Sequence, residues 1–335
     1  MSKKTFKVFK LHFTTPLHIG DARDDYSISQ KTIASDTMYA AITATLAKLG
    51  REIKEGDLGF TISSLFPFYQ KDKNSNAILF FPKPLKQTLP NISDSTIRKK
   101  VKKVSWIDQT YFERILKGEP LFDNENDYEN IKGEFLLSNN ENFNEKFISS
   151  QVNIHACISR EAKDAKPYYM DRLYFSDYSG LYFLAEGDTK LIKDALDLLQ
   201  HEGIGTDKNV GNGAFECSEE EIEEITLEFP EKSDYVLSLS TFIPESKEQL
   251  DNLIGDDNVA YDFQRRGGWI TTQPISKLRK NTIYAFTAAS VFYAKDTTKS
   301  FTSGEFKDLT PKALIGTIKH SIYRCGKSIF IPLKL

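Results

Sequence analysis

Residues 189–215 read TKLIKDALDLLQHEGIGTDKNVGNGAF, and residues 225–229 beyond them read ITLEF. The first part sets Leu191, Ile192, Ala195, Leu196, Leu198 and Leu199 at broadly helical spacing, and the last part reads as a strand. The order is therefore helix, glycines, strand. Dinucleotide and P-loop motifs run strand, glycines, helix, so that a phosphate sits on the helix N-terminus. A nucleotide-cofactor fold matches poorly, and no cofactor is expected. Gly203 can cap the helix. A cap needs one glycine, however, and Gly203, Gly205, Gly211 and Gly213 crowd around the single lysine Lys208. Surplus glycine costs conformational entropy. That cost favours a loop whose bare backbone admits a ligand beside a sheet over a merely flexible surface loop.

Working outward, Thr5–Phe13 (TFKVFKLHF) alternates and reads as a half-buried strand. The loop TTPLHIGDARDDYSISQKT follows, then the helix SDTMYAAITATLAKLG, which Ser35 or Asp36 can cap and Gly50 can end. Residues 77–81 (AILFF) form a strand stopped by Pro82 and Pro84. Residues 85–150 carry few strong signals beyond a helix at IDQTYFERILKG and read as an insertion. Strands are expected at 151–161 and across 172–185, the latter turning at Tyr178–Gly180. From residue 234 a second unit opens as the first did, with DYVLSLSTFIP echoing FKVFKLHFTTP, a helix KEQLDNLI, a long strand TIYAFTAASVFYA and a last strand in HSIYRCGKSIFIPLKL. The fold class expected is α+β: tandem ferredoxin-like (RRM-like) domains with antiparallel sheets, residues 1–232 with an insertion near 85–150, and residues 233–335.

The 335 residues suffice for two cores, with 40% hydrophobic and 27% charged residues. No apolar run reaches membrane-spanning length, and the N-terminus has no signal-peptide core. Cys157, Cys217 and Cys325 are odd in number and far apart, which suits a reducing cytoplasm. The net charge of −3 argues against a free-standing DNA binder, yet base collects at 98–103 (RKKVKK) and acid at 219–224. Local basic strips on an acidic chain suit a subunit that touches nucleic acid on one side.

The five histidines show no HxxxH or Cys/His pairing, so no metal site is expected. His18, in PLHIG after the first strand, could act as a general acid in RNA cleavage, but no local partner supports it. Asp21, Asp24, Asp25 and Asp36 could bind magnesium, although carboxylates at a loop and helix start are more often turn or cap residues. Arg265-Arg266-Gly267-Gly268-Trp269 sets two guanidiniums, two bare backbone units and an indole together, a combination suited to phosphate pairing and base stacking. Trp269 could instead be core. Arg160, Arg172 and Arg324 flank other strand or turn segments. The RKKVKK run reads as a solvated face in preference to a phosphate contact.

Together TTPLHIGDA, SDTMYAA, SDYSGLYFLAEGD, GIGTDKNVGNGAFE, RRGGW and HSIYRCGKSIFIPL resemble the RAMP superfamily of CRISPR proteins. Within it the chain looks like the Cas-five-like subunit of type III-A (Csm) effectors, the fourth member of the Csm series. The resemblance covers 5–50 and 151–332 and is thinnest at 85–150. It implies a non-catalytic, RNA-binding subunit that holds the 5′ repeat-derived handle of the crRNA. It also implies docking of the large polymerase/cyclase-like subunit and contact with the RAMP backbone subunit. By motif match, His18, Gly20, Ser35, the 203–213 loop with Lys208, and Arg265–Trp269 would form the handle pocket, and 155–175 would form a hairpin thumb. The competing reading is a Cas-six-like endoribonuclease with His18 as general acid. A third, a slicing backbone subunit, would need an aspartate acting with magnesium.

Overall fold

The computed structural model describes residues 1–20, 25–53, 56–87, 92, 94–122, 125–158, 165–217, 223–270, 278–318 and 320–335. The first strand, Ser2–Phe13, organises everything else. It is buried on both faces, not one. Its apolar phase flips between Val8 and Phe9, so Phe6 and Val8 point to one side and Phe9, Leu11 and Phe13 to the other. The side carrying Phe9 is covered by helices Ser35–Lys48 and Thr189–Glu202 through Met38, Ile42, Leu46, Ile192, Leu196 and Leu199. The side carrying Phe6 packs against Leu237, Leu239, Ile329, Ile331 and Leu333 of the C-terminal half. Each fully buried apolar side chain in these layers contributes roughly 1.5–3 kcal/mol.

The main sheet is antiparallel around that strand. Glu223–Phe229 pairs on one edge and Gly180–Gly187 on the other, and the latter continues to Phe60–Ile62 and Phe66–Tyr69. With its two helices this half runs strand, helix, strand, strand, helix, strand. The described elements between residues 94 and 136 pack onto this body. Trp106–Asp108 pairs antiparallel with Ile78–Pro82, and Phe135–Leu136 adds the single parallel pairing to Trp106–Asp108 among the described strands. Helix Gln109–Leu116, capped by Asp108, buries Tyr111, Phe112, Ile115 and Leu116 in the same core. The RKKVKK run lies in helix Ser95–Lys103, whose only buried residue is Val101, so its cations form a solvated face.

In the C-terminal half, Val291–Thr297, Ser233–Ser238, Ser328–Leu333 and Phe301–Ser303 lie side by side in that order. Among the described residues this half has one α-helix, Lys247–Ile254, whose cap Ser246 accepts from the Gln249 amide at 3.0 Å. It therefore does not copy the first half helix for helix. The expected strand TIYAFTAASVFYA is two strands, Ile283–Phe286 and Val291–Thr297, in different sheets. Ala289 between them turns the chain at φ 72°. The terminal strand is likewise split at Gly326, where a Cβ would stand 2.4 Å from Ile243 Cβ. A seam of buried hydroxyls ties the halves: Ser240 Oγ donates to Ile62 O and the Thr241 amide to Ser35 Oγ, both at 2.8 Å.

Candidate nucleic-acid interface

Gly203 does end the second long helix, with φ 75° and its amide on Leu199 O at 2.9 Å. What the next glycines admit is the protein's own main chain. A Cβ on Gly213 would stand 1.9 Å from Ile204 O, and one on Gly205 would stand 2.5 Å from His18 O. The Ile204 amide bonds Gly213 O at 3.0 Å, the Gly213 amide bonds Pro16 O at 2.8 Å, and the Thr206 amide bonds His18 O at 3.0 Å. The loop is thus folded on itself and sewn to residues 14–20. Its longest exposed run is the 3-10 turn Lys208–Val210 followed by Gly211, where a Cβ would meet nothing within 4 Å.

His18 is fully buried. Its Nδ1 donates to Asp171 O at 2.7 Å, which leaves Nε2 buried and without a partner among the described residues. Gly20, exposed, passes that same nitrogen: a Cβ there would lie 3.5 Å from it. Ser35 is also buried. It is neither a cap nor a surface contact, because Ala34 holds the cap position without a side-chain bond and the Ser35 hydroxyl accepts from Thr241.

Asp36 likewise neither caps nor opens to a metal. Its carboxylate is buried and filled by guanidiniums: Arg266 Nε and Nη2 at 2.9 and 2.8 Å, and Arg324 Nη1 on Oδ2. Burial alone would push this carboxyl up, but the charges and bonds of Arg266 and Arg324 outweigh it and hold it at about 2. Arg266 Nη2 also donates to Thr37 Oγ1 at 2.6 Å, and Arg324 Nη2 to Gly267 O at 2.6 Å. Lys280 completes the cluster. Burial first, with Arg324 and Arg266 adding to it against Asp36, brings its ammonium down to about 8. Two guanidiniums thus share one carboxylate, with the Lys280 ammonium within reach of all three charges.

Arg265 and Arg266 are neighbours on strand Phe263–Arg266, so their side chains leave opposite faces. Arg266 goes in to Asp36, and Arg265 is exposed, directly across from Tyr284. Gly268, at φ 119°, precedes Trp269, which is 52% exposed with Arg279 stacked 4.6 Å over its ring. The indole is a surface group, not core. Arg160 lies outside the described residues. The strands Ile148–Ile158 and Ala165–Phe175 make a hairpin with a sheet of its own, longer than the expected 155–175, displaying Val152, Ile154 and Tyr169. The glycine loop and the Arg265 hairpin share no hydrogen bond among the described residues. They dock at the two ends of segment 14–37, through Pro16 and His18 and through Asp36 and Thr37.

Sequence reading missed Asp36 as an anchor, Lys280, and the exposed Phe263 and Tyr284. Strand alternation through FQRR carries the signal that only one of two adjacent arginines can face outward.

Residues 231–333 match the family profile described as the CRISPR Csm4 C-terminal domain. The chain is 25% identical to a Csm4 protein of Streptococcus thermophilus over 99% of its length and 100% of the relative. It is 24% identical to one of Thermococcus onnurineus strain NA1 over 70% of its length and 74% of the relative. Its fold is similar to that of a chain in a crystal structure of a Csm3–Csm4 subcomplex of the type III-A interference complex (TM-score 0.59, 20% identity, covering 99% of this chain and 100% of that one). It is also similar to one in a Csm1–Csm4 cassette bound to cA4 (0.54, 16%, 99% of each). Residues 231–333 thus carry the Csm4 C-terminal domain, and over its whole length the chain resembles the Csm4 proteins of CRISPR systems.

Proposed function

We propose that this chain is the non-catalytic RNA-binding subunit that caps the 5′ repeat-derived handle of the crRNA, docking the large subunit Csm1 on one side and the backbone subunit Csm3 on the other. The observation that carries the reading is the whole-length likeness to Csm4 proteins, whose relatives are seen assembled with Csm1 and with Csm3. The geometry adds two strand pairs, Ile148–Ile158 with Ala165–Phe175 and Phe263–Arg266 with Ile283–Phe286, each a sheet of its own with aromatic side chains exposed. Single-stranded RNA is gripped through such rings together with arginines and backbone amides. The strand order of the first half, with Glu223–Phe229, Ser2–Phe13, Gly180–Gly187 and Phe66–Tyr69 in sequence across the sheet, supports a ferredoxin-like first domain. The match over 231–333 supports a boundary near 232. Among the described residues no helix is long and apolar enough to cross a membrane; the cytoplasm, where crRNA resides, is the proposed location.

Burial speaks against the endoribonuclease reading. A general acid must reach the leaving oxygen, and the His18 ring is enclosed with Nδ1 on a main-chain carbonyl. Two experiments test the function. Complexes reconstituted with and without this chain are digested with nuclease, and the 5′ handle should be protected only when the chain is present. Purified chain incubated with repeat RNA should leave it intact. Cleavage abolished by His18→Ala would transfer the assignment to the endoribonuclease.

A further inference from the structure

Residues 263–286 read FQRRGGWITTQPISKLRKNTIYAF, with five cations and no aspartate or glutamate in 24 residues, inside a chain whose net charge is −3. The structure folds the ends of this stretch into a two-stranded hairpin and fastens one face of it. Arg266 enters the buried Asp36, and Arg324 holds Gly267 O. The opposite face is left bare. Arg265 and Tyr284 are register partners, and Phe263, two residues before Arg265, shares their face. Tyr284 is 65% exposed and Phe263 is 54% exposed, with their rings edge to face at 5.7 Å. Arg265 has no ion-pair or hydrogen-bond partner among the described residues, and Asp262 beside it is turned to the Phe263 amide.

From these observations we infer that the outward face of this hairpin is a stacking platform for unpaired bases of single-stranded RNA. Tyr284 and Phe263 each offer a ring to a base, and Arg265 takes the intervening phosphate. The inference rests on the RNA-binding reading above and adds to it a site and the side chains that would grip there. Arg265, unpaired on this face among the described residues, is free to take a phosphate. Two exposed rings select bases that are free to stack, so a duplex would leave them unused. Recognition by ring faces and a phosphate is tolerant of sequence. The hairpin is also preset: Asp36 fixes its inner face, so its outer face is presented without ordering cost at binding.

The test uses the assembled complex with its guide. In wild type, guide RNA carrying 4-thiouridine is irradiated and crosslinked peptides are mapped. Crosslinks at 263–284 are expected. In parallel, Phe263→Ala, Tyr284→Ala and the conservative Tyr284→Phe are assembled, with thermal midpoints to confirm folding. Each alanine variant should bind guide about 5- to 150-fold more weakly, from the ~1–3 kcal/mol that one stacked base contributes. Their salt dependence should be unchanged, Tyr284→Phe should restore binding, and a guide made abasic at the crosslinked positions should erase the difference. Crosslinks confined to other parts of the chain would overturn the platform while leaving the handle-binding reading intact. So would alanine variants that bind guide normally but lose the large subunit on purification, which would make this face a protein dock. No crosslink anywhere on the chain would remove both.

Discussion

Arg266 grips Asp36 from the far side of the boundary between the two halves of the chain, with Nε on Oδ2 at 2.9 Å and Nη2 on Oδ1 at 2.8 Å. Arg324 adds a bond to Oδ2 from the last part of the chain. One carboxylate near the start of the first helix thus ties down a hairpin and a strand more than 200 residues away. Buried charges cost heavily when left unpaired.

Asp36→Ala is therefore expected to lower the unfolding free energy by about 3–5 kcal/mol, since it strands two guanidiniums out of water. Urea titration of wild type and variant checks it, and a loss under about 1 kcal/mol would remove the triad from the account. Acid should do the same reversibly. The carboxyl sits at about 2 when folded against an ordinary 3.8, so its contribution is complete above 3.8 and drains away as the pH falls through 2.

Lys280 acts in the opposite range. Its ammonium sits at about 8 when folded and 10.5 when free. Between those values the unfolded chain holds more protons, so stability rises with pH there. Lys280→Met abolishes the dependence. The stability of wild type relative to Lys280→Met should grow by about 2 kcal/mol from pH 7.5 to 9.5, at a slope of 1.36 kcal/mol per unit at most. A constant difference across that range would show the lysine to be solvated.

Three of the loop's four glycines are separable by what a methyl group would meet. Gly213→Ala drives a Cβ to 1.9 Å from Ile204 O at φ 72°, and Gly205→Ala drives one to 2.5 Å from His18 O at φ 94°. Gly211→Ala, at φ 92°, meets open space and carries only left-handed backbone strain, of order 1–2 kcal/mol. Thermal unfolding should rank the losses with Gly213 and Gly205 well above Gly211. Equal losses at all three would mean that backbone strain alone decides.

These cases show which features sequence could reveal. Helices with a strong stripe and a plain stop, such as Thr189–Glu202 ending at Gly203, are legible because local forces decide them. The strand break at Ala289 is not, because a non-glycine residue there takes φ 72° to satisfy bonds with Ser238, a partner distant in sequence. The glycines read in sequence as a backbone open to a ligand, whereas the groups that Gly205 and Gly213 approach are the chain's own His18 and Ile204 carbonyls. Glycine spacing cannot distinguish a ligand backbone from the protein's own. The burial of Ser35 and Asp36 was hidden for the same reason: small polar residues at a helix start look like caps until tertiary partners such as Thr241 and Arg266 are known.

The two adjacent arginines give the sharpest discrimination, because the hairpin sends them in opposite directions. Arg266→Ala removes a partner of Asp36 and should lower the thermal midpoint by several degrees, as a loss of about 2–3 kcal/mol implies for a protein of this length. Arg265→Ala removes an exposed cation with no protein partner among the described residues and should leave the midpoint within about 1 °C. In the assembled complex the order reverses. Arg265→Ala should weaken guide binding and reduce the magnitude of the salt slope by about 1, since one fewer phosphate is neutralised. Arg266→Ala should leave that slope unchanged wherever the complex remains folded. Measuring both variants for thermal midpoint and for guide affinity across salt separates anchor from contact. If Arg265→Ala alters stability but not the slope, the outward face of the hairpin does not meet RNA phosphate.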